Sequence, residues 1–476
     1  MKKIILAALV ILVALGAASP MIIGANVENT LQANVARIND MPFYTASIDS
    51  YESGYLGARA VVSVGIDSQV MTVNMTPEER VAMQPFFAAF ERGIPVAMDI
   101  RHGPLLDSPT RSLGLFHSRI SLPGDLDLPD GLANALANAG DTQTSLTMGF
   151  TGSGELVIDA PAFTFEDTTG RMSFGGFEFQ ADLESWGLQY HASGTLSDSL
   201  FMNTQNGDSI NMKPVTLVAS ADLRNGFVTG TGQFELDMTG IEVVSEADTF
   251  TLEYLTMDTI ISSPTEELVD VEYRFGLERL AGSTMEEALE DFVIDFSLRN
   301  MDKAALKEVA TLYTSRDFFQ QDPLVIQQQL GEIMANIYSG AQYQLDQLNF
   351  RYGDDVALTM SGNVSVDSSL FANPGALQNP FMLIGAVDLE LSLDFSQGLA
   401  DMAYEQFLRG QLDAQDMTEQ DMERLIALQK PQLGIMLGQL VQQGMLIASQ
   451  QGYMIEVSLN DGNLLINGAP GNIPFF

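Results

Sequence analysis

Histidine is the side chain best suited to acid–base chemistry near neutral pH, and this chain of 476 residues contains only three. His102 lies in the stretch MDIRHGPLLDSP, whereas His117 and His191 have no recognisable catalytic or metal-binding pattern around them. A histidine followed by Gly103 and Pro104 is typical of a turn where a strand ends, with the ring hydrogen-bonded to the backbone. We therefore predict that His102 is neither a catalytic base nor a metal ligand.

The sequence motifs of the common enzyme classes are missing. The chain has no cysteine, no GxSxG nucleophile elbow and no HExxH zinc motif. None of its six lysines follows a phosphate-binding glycine loop, and the stretch GTGQFE lacks the third glycine of a dinucleotide fingerprint. We therefore predict that the protein is not an enzyme and has no cofactor.

The strongest metal candidate is the stretch GDLDLPDGL, in which Asp125, Asp127 and Asp130 approach the spacing of a calcium loop. Pro129 takes the place of the fifth loop position, and Leu136 stands where a glutamate should bind the ion through both oxygens. We predict no metal site here. A hydrolase with paired carboxylates is the remaining enzymatic alternative, but the sequence singles out no pair.

The charge balance predicts no nucleic-acid partner and makes anionic lipid headgroups poor partners as well. The chain has 62 acidic and 22 basic residues, which gives a net charge of −40, and such a surface repels phosphate backbones. With 46% hydrophobic residues, it can still bury a large core. The acidic residues are scattered along the chain, which is typical of a solvated surface in a salty medium outside the cytoplasm.

The N-terminus predicts a membrane anchor. Residues 4–25 carry no charge, and as a helix with a rise of ~1.5 Å per residue they would cross ~30 Å of hydrocarbon. Lys2 and Lys3 precede them, which favours a cytoplasmic N-terminus and a body on the other side of the membrane. A cleaved signal peptide, cut after the small residues 16–18, is the alternative.

Most of the chain after the anchor alternates in hydrophobicity, as strands with one buried face do. A short helix is predicted first, in NVENTLQANVARIND, and a strand follows in GYLGARAVVSVGID. Alternating runs then return around residues 177–183, 215–223, 234–238 and 269–277, and turn sequences separate them. This part of the chain predicts an antiparallel meander.

Helical patterns appear from about residue 283. Two strand-then-helix units, about 95 residues apart, look like an internal repeat, with Asp302 and Ser396 as the helix N-caps. A further helix is predicted in PLVIQQQLGEIMANIYSG, and a long one over 418–450, which Pro431 should kink or split. The chain closes with a hairpin that has Gly462 in its turn.

These elements predict an α+β fold that is predominantly β, with a long curved antiparallel sheet packed by several helices from the C-terminal half. Three regions are expected. They are the anchor or signal peptide over residues 1–25, the β-rich meander over 26–282, and a strand–helix repeat region with the last helix and hairpin over 283–476. The last region should continue the preceding sheet.

Several short motifs together resemble the YdgA-like family of bacterial envelope proteins, a group of unknown function. They are YESGYLGARAVVSV, MDIRHGPLL, the two strand-then-helix units and the closing YMIEVSLNDGNLLING. The motif residues, for which we predict structural roles, are Gly54, Tyr55, His102, Gly103, Pro104, Asp302, Gly462, Asn467 and Gly468. The resemblance implies a single-pass anchor in the bacterial inner membrane, a periplasmic body and no established activity.

Such anchored β-rich proteins are also similar to the AsmA-like envelope proteins, whose sheets form apolar grooves for lipids. Our first hypothesis is therefore a non-catalytic envelope protein that binds lipid or another amphiphile in an apolar groove. The second is an envelope scaffold that binds a protein partner, with helices covering the sheet. An apolar strand face has the same sequence pattern in both cases, so the two hypotheses stay open.

Overall fold

A computed structural model of the protein shows a predominantly β chain with few helices. It describes residues 27–29, 31–33, 35–36, 38–39, 44–68, 80, 93–106, 108, 113–121, 143–166, 170–224, 229–245, 248–313, 323–337, 340–366, 387–413, 419–460 and 462–471. The described residues between 27 and 39 are helical, as predicted. The predicted anchor, the aspartates 125–130 and Asp461 lie outside the described residues.

The chain divides into two compact units. The first comprises Met1–Gly207, Lys213–Gly232 and Lys307–Gln328, and the second comprises Asp208–Met212, Gln233–Leu306 and Gln329–Phe476. The strands that lie wholly in the first unit are β1 (Tyr44–Ser53), β2 (Gly57–Ile66), β3 (Ile94–His102), β4 (Phe116–Ser121), β5 (Gln143–Met148), β6 (Gly154–Ala160), β7 (Phe163–Glu166), β8 (Gly170–Phe174), β9 (Phe177–Glu184), β10 (Gln189–Leu196), β11 (Ser199–Asn203) and β13 (Val215–Asp222).

These strands form an antiparallel meander with one excursion. Each of β1 to β5 pairs with the next strand in sequence, then β6 pairs with β9, β9 with β10, and β10 with β13. The excursion is the ribbon in which β8 pairs with β7 and β11. The predicted strands near 57–66, 177–183 and 215–223 are confirmed.

The apolar face of this first sheet is closely packed. Directly opposed residues on neighbouring antiparallel strands share a face of the sheet, so a row can be followed across it. One such row consists of Ala58, Ile100, Ser118, Leu146, Leu156, Ala181, Ala192 and Ala219. Ile100 and Ala192 are each 3% exposed, whereas Leu146, Leu156 and Ala219 are half-buried, so part of this row lies in the core of the unit.

The second unit is also built from antiparallel neighbours. Its strands are β12 (Ser209–Met212), β14 (Thr231–Val244), β15 (Thr249–Ser262), β16 (Leu268–Gly282), β17 (Leu289–Asp302), β18 (Gln342–Tyr352), β19 (Val356–Val366), β20 (Val387–Ser396), β21 (Ile447–Ala448), β22 (Gly452–Asn460), β23 (Asn463–Ile466) and β24 (Ala469–Pro470). Pairing runs from β15 through β20 in sequence order and then to β22, β23 and β24, while β12 pairs with β14. β16 and β17 pair across residue 283, which fits a sheet that continues there.

Four helices of the described part belong to the C-terminal half, as expected. They are α1 (Lys303–Tyr313), α2 (Pro323–Ile337), α3 (Gln397–Asp413) and α4 (Glu419–Gln442). The two strand-then-helix units share one element order: β17, α1, α2, β18, β19 in the first and β20, α3, α4, β22, β23 in the second, apart from the two-residue β21. This common order agrees with the predicted repeat.

Both predicted N-caps are confirmed. Asp302 Oδ1 accepts a hydrogen bond of 2.8 Å from the Ala305 amide, and Ser396 Oγ accepts one of 3.1 Å from the Leu399 amide. Each side chain satisfies an amide that the first turn of a helix leaves without an intrahelical partner. The hydroxyl of Ser396 also accepts a bond of 2.9 Å from the Ala357 amide of β19, so it ties α3 to the neighbouring strand.

The prediction for the last helix was wrong about its end, and of the two outcomes expected at Pro431, a kink or a split, the structure excludes the split. α4 ends at Gln442 instead of 450 and continues across Pro431. Gly444 has φ +75 and ends the helix with two bonds typical of a Schellman motif, from its own amide to Val441 and from the Met445 amide to Leu440. Packed residues on both sides of the proline keep the helix in one piece, because their burial offsets the lost hydrogen bond.

Helices α3 and α4 cover part of the second sheet. Leu433 and Leu437 of α4 form a buried cluster with Leu446, and the partly buried Phe395 and Tyr453 of β20 and β22 pack against it. The apolar face of these two strands therefore lies under helices. The expected curvature of the sheet stays a prediction.

Candidate functional site

The HGP stretch lies where β3 ends, next to the β1–β2 turn. The His102 amide donates a bond of 3.1 Å to the Leu56 carbonyl, and Gly103, which has φ +126, donates one of 3.0 Å to the Leu115 carbonyl. A positive φ of this kind favours glycine. The fold thus brings together two motif segments, Gly54–Tyr55 and His102–Pro104, and the predicted strand end at His102 is confirmed.

His102 belongs to the apolar face of the first sheet. It lies opposite Phe116, which in turn lies opposite Met148. Its side chain is 1% exposed, so a substrate outside the sheet has no access to the ring. This position is that of a core histidine at the end of an apolar row.

His117 lies on the other face of the same sheet and has no role in the predictions from sequence. Its Nδ1 is 2.8 Å from Thr147 Oγ1, and Thr147 Oγ1 is 3.3 Å from Ser108 Oγ. His117 and Thr147 are each 2% exposed. The three side chains connect β4 and β5 with the β3–β4 loop, and we call them the His117 cluster.

The His117 cluster can relay a proton between its hydroxyls and the imidazole, but in this arrangement its histidine is closed to solvent. A general base must reach the proton that it abstracts within hydrogen-bonding distance. The geometry therefore suits the attachment of the loop to the sheet. The available signal in the sequence was the alternation of Phe116, Ser118 and Ile120, which places His117 on the opposite face.

The second unit has a different candidate site, on the apolar face of β15–β18. Tyr273 stacks at a tilt on Phe296 with ring centroids 5.1 Å apart, and Phe275 meets Phe292 edge-on at 6.0 Å. The Tyr273 hydroxyl lies 3.2 Å from Met257 Sδ. Unlike the core of the first unit, all five side chains are only half-buried.

This surface, which we call the aromatic face, has the side chains that apolar ligands prefer. Aromatic rings and thioethers offer large, polarizable contact areas, and Met adapts to irregular shapes. Leu345 lies opposite Phe296, and Leu348 lies opposite Ile294, so the apolar rows continue onto β18. At one end of these strands, Arg279 pairs with Glu253 at 3.2 Å, and Arg351 pairs with Glu290 at 3.1 Å.

The remaining motif residues have local structural roles. Gly54 donates a bond of 2.8 Å to the Gly57 carbonyl in the β1–β2 turn, and Tyr55 is 54% exposed. Asn467 has φ +51, accepts a bond of 2.8 Å from the Glu456 amide and donates one of 2.9 Å to the Gly444 carbonyl.

Gly462 and Gly468 each have φ +75, in the turns that precede and follow β23. Positive φ in the β22–β23 turn confirms the prediction for Gly462. Together with the cap at Asp302, these residues shape the second unit.

Electrostatic perturbation is modest in the described part of the chain. The Arg224 guanidinium and amide both bond to Asp222, which lowers the pKa of that carboxyl to about 2. The Asp291 carboxylate bonded to Arg351 raises the pKa of that guanidinium. Among the residues that the structure describes, no group of three or more His, Asp or Glu side chains is arranged to hold a metal ion.

One family comparison identifies relatives of this chain. A family described as bacterial proteins of unknown function, DUF945, matches residues 1–474. The chain belongs to this family. No curated protein and no solved structure matches it.

The DUF945 match extends over nearly the whole chain, so it includes both units. No helix within the described ranges has the length and apolar character needed to cross a membrane. The anchor expected at residues 4–25 stays a prediction.

Proposed function

We propose that this DUF945 protein is a non-catalytic cell-envelope protein whose aromatic face binds the acyl chains of a lipid or another amphiphile. The observation that carries the proposal is the half-buried state of the four rings and one thioether on β15–β17. Apolar side chains of this size are normally covered in a folded protein, since burying one stabilises by ~1.5–3 kcal/mol. A bound acyl chain would supply the missing cover.

The proposed location is the bacterial inner membrane, with the N-terminus in the cytoplasm and the body in the periplasm. Two features support it: the uncharged residues 4–25 behind Lys2 and Lys3, and the resemblance of the motifs to YdgA-like proteins. Cleavage after residue 18 would release the same body into the same compartment. The similarity to AsmA-like proteins, with their lipid grooves, is an argument from fold alone.

The absence of catalysis is part of the proposal. Both histidines of the HGP region, His102 and His117, are at most 2% exposed, so neither reaches a substrate in this arrangement. The predicted absence of a cofactor and of nucleic-acid binding rests on the missing motifs and the net charge of −40.

A scaffold that binds an envelope protein is the second candidate. Helices α3 and α4 cover the apolar face at β20 and β22, as that hypothesis expects for the whole sheet. If a protein segment covers β15–β18 in the same way, the aromatic face is a protein interface. In that case the molecule to identify is the protein partner and not a lipid.

Lipid content of the released body tests the proposal. A protease site inserted between Ala25 and Asn26 allows the body to fold as part of the full chain and then to be cut from the membrane without detergent. We expect one or more phospholipid or other amphiphile molecules per protein in native mass spectrometry. A folded body that carries no amphiphile would overturn the lipid proposal and favour the scaffold.

A matched pair of variants locates any bound lipid. Phe275→Gln places an amide in the aromatic face, whereas Arg274→Gln changes the exposed neighbour on the same strand. We expect lipid occupancy to fall several-fold in Phe275→Gln and to stay unchanged in Arg274→Gln, because unpaired polar groups are unfavourable beside an acyl chain. Equal occupancy in both variants would place the lipid elsewhere.

A further inference from the structure

A hydroxyl group lies among the rings of the aromatic face. Tyr273 on β16 lies opposite Phe296 on β17, and the two rings stack with centroids 5.1 Å apart. The Tyr273 hydroxyl donates a hydrogen bond to Met257 Sδ at 3.2 Å. A thioether sulfur is only a weak acceptor, and a tyrosine hydroxyl in apolar surroundings usually has a hydrogen-bond partner. The hydroxyl is therefore a donor that a ligand with a stronger acceptor can bind.

The row of residues that crosses the aromatic face at Tyr273 changes from polar to apolar. Directly opposed residues share a face of the sheet, and this row consists of Thr259, Tyr273, Phe296, Leu345 and Gly362, on β15 to β19. The two hydroxyl-bearing side chains stand at one end, and a phenyl ring and a leucine follow. Gly362 has no side chain above the sheet. An elongated molecule with one polar end matches this order.

This row is accessible, whereas the same face is closed nearby. The four side chains of the row are half-buried, so each keeps area that a ligand can contact. Four residues before Tyr273, Val269 is 1% exposed, and Met301, which lies opposite Val269, is 5% exposed. A ligand over Tyr273 therefore has to extend across the strands or toward Phe275. A few polar groups placed in an apolar site of this kind fix the orientation of the ligand.

The charge of the chain limits the kind of acceptor that such a ligand brings. With a net charge of −40, the protein repels a carboxylate or phosphate group. Arg279 and Arg351, at one end of these strands, are each paired with a glutamate, at 3.2 and 3.1 Å. A carbonyl group is a neutral acceptor, and an acyl ester joins it directly to a long apolar chain. The acceptor that fits Tyr273 best is therefore an ester carbonyl.

We propose that the ligand of the aromatic face is an acyl ester whose carbonyl oxygen accepts a hydrogen bond from the Tyr273 hydroxyl, with the acyl chain over Phe296 and Leu345. This inference rests on the proposed function, because it names the chemical class of the amphiphile bound there. On binding, the hydroxyl exchanges its weak bond to Met257 for one to oxygen. Tyr273 is then the residue that selects an ester, since the rings and the leucine contact any hydrocarbon chain equally.

Photo-crosslinking of the full-length protein in vesicles of ether-linked phosphatidylcholine tests the proposal. Each probe carries a diazirine at the same carbon of its chain, and the probes are an ester-linked phosphatidylethanolamine, its ether-linked analogue and the free fatty acid. Labelled peptides from β15–β18 report occupancy of the aromatic face. We expect the ester probe to label them about fivefold more than the ether analogue, because one neutral hydrogen bond changes affinity by a factor of about 2 to 10.

A matched pair of tyrosine variants assigns the preference to one hydroxyl. Tyr273→Phe removes the hydroxyl and keeps the ring that stacks on Phe296, so we expect labelling by the ester probe to fall to the level of the ether analogue. Tyr254→Phe is the control, because Tyr254 is 55% exposed on β15, and it should leave the ester preference unchanged. An ester preference that survives Tyr273→Phe would overturn the proposal.

The fatty acid probe distinguishes an ester from a free carboxyl group as the source of the acceptor. Above neutral pH we expect it to label β15–β18 several-fold less than the ester probe, because the acidic protein repels its carboxylate. Equal or stronger labelling by the fatty acid would show that the aromatic face accepts a carboxylate. The assignment of an ester would then be wrong.

Failure of this inference is distinguishable from failure of the proposed function. If the ester and ether probes label β15–β18 equally, an amphiphile binds at the aromatic face but its carbonyl is not recognised, and only the inference is overturned. If no probe labels these peptides, the aromatic face holds no amphiphile in the membrane-bound protein. The proposed function and the inference would then both be wrong, and the scaffold would be favoured.

Discussion

The apolar faces of the two units follow the same alternation in sequence but differ in how completely they are buried. In the first unit, Ala58, Ile100 and Ala181 lie on one row and are 3–4% exposed. In the second unit, Phe275 and Phe296 stay half-buried. The first face is therefore closed at these positions, whereas the second has room for a further layer around Phe275 and Phe296. The difference is local, because Leu156 and Phe179 of the first face are also half-buried and Leu277 of the second is 8% exposed.

Side-chain size accounts for part of the difference. Small residues such as alanine let a covering layer come close to the strands, so that little space remains between them. Rings and long thioethers project further and keep apolar area accessible, and covering that area contributes ~25 cal/mol per Å². The aromatic face is therefore the part of the described sheets where an added apolar molecule gains most.

The same substitution in each unit tests this comparison with the largest expected effect. Ile100 and Ile294 both lie in inner strands, with a paired strand on each side. We expect Ile100→Ala to lower the local free energy of unfolding by about 3 kcal/mol, because it leaves a cavity in a closed core. Ile294→Ala should cost about 1 kcal/mol, since its half-buried site loses fewer contacts.

Hydrogen exchange followed by mass spectrometry measures both effects, on peptides from β3–β4 and from β16–β18. Ile→Val at each position serves as the control and should cost less than its alanine counterpart. Equal losses for the two alanine variants would mean that the aromatic face is covered in solution. The comparison between the units would then fail.

The sequence predicted the β elements well, because turns and alternation are local features. The strands at 57–66 and 269–277, both helix caps and the closing hairpin were confirmed. The end of α4 was missed, although Gly444 offered the usual signal for a helix end. The prediction followed the apolar stripe, which continues past this glycine, and therefore extended the helix too far.

The candidate sites were harder to predict because they depend on contacts between distant residues. His102 stood out in the sequence, yet the bonded chain through Thr147 belongs to His117, 30 residues away along the chain. Alternation gave the apolar residues of the aromatic face but not their exposure, which depends on what covers the sheet.

Replacing valine by phenylalanine tests the same comparison between the two units, and the expected change in stability is smaller. Val62 is 6% exposed in the first unit, and Val271 is half-buried in the second. We expect Val62→Phe to destabilise its unit by about 2 kcal/mol through overpacking, and Val271→Phe to change stability by less than about 0.5 kcal/mol. Hydrogen exchange of the flanking strands measures both. A large loss at Val271 would contradict an open aromatic face.

The smallest expected effect concerns the polar face of the first sheet, where the His117 cluster attaches a loop. Thr147→Val removes the hydroxyl that contacts His117 Nδ1 at 2.8 Å and Ser108 Oγ at 3.3 Å, at nearly constant volume. We expect the loop at 103–115 to open more easily by about 1 kcal/mol, because a buried polar group loses a partner. Faster exchange of the amides of Gly103 and Gly114 would report this opening.

Thr147→Ser keeps the hydroxyl and should leave the exchange of the loop nearly unchanged. If Thr147→Ser opens the loop as much as Thr147→Val, loss of the hydroxyl does not account for the opening, and the cluster does not hold the loop. If only Thr147→Val opens the loop, and the amides of β2 and β3 still exchange slowly, the two faces of the first sheet act independently. The polar face then attaches the loop, and the apolar face stays buried without that attachment.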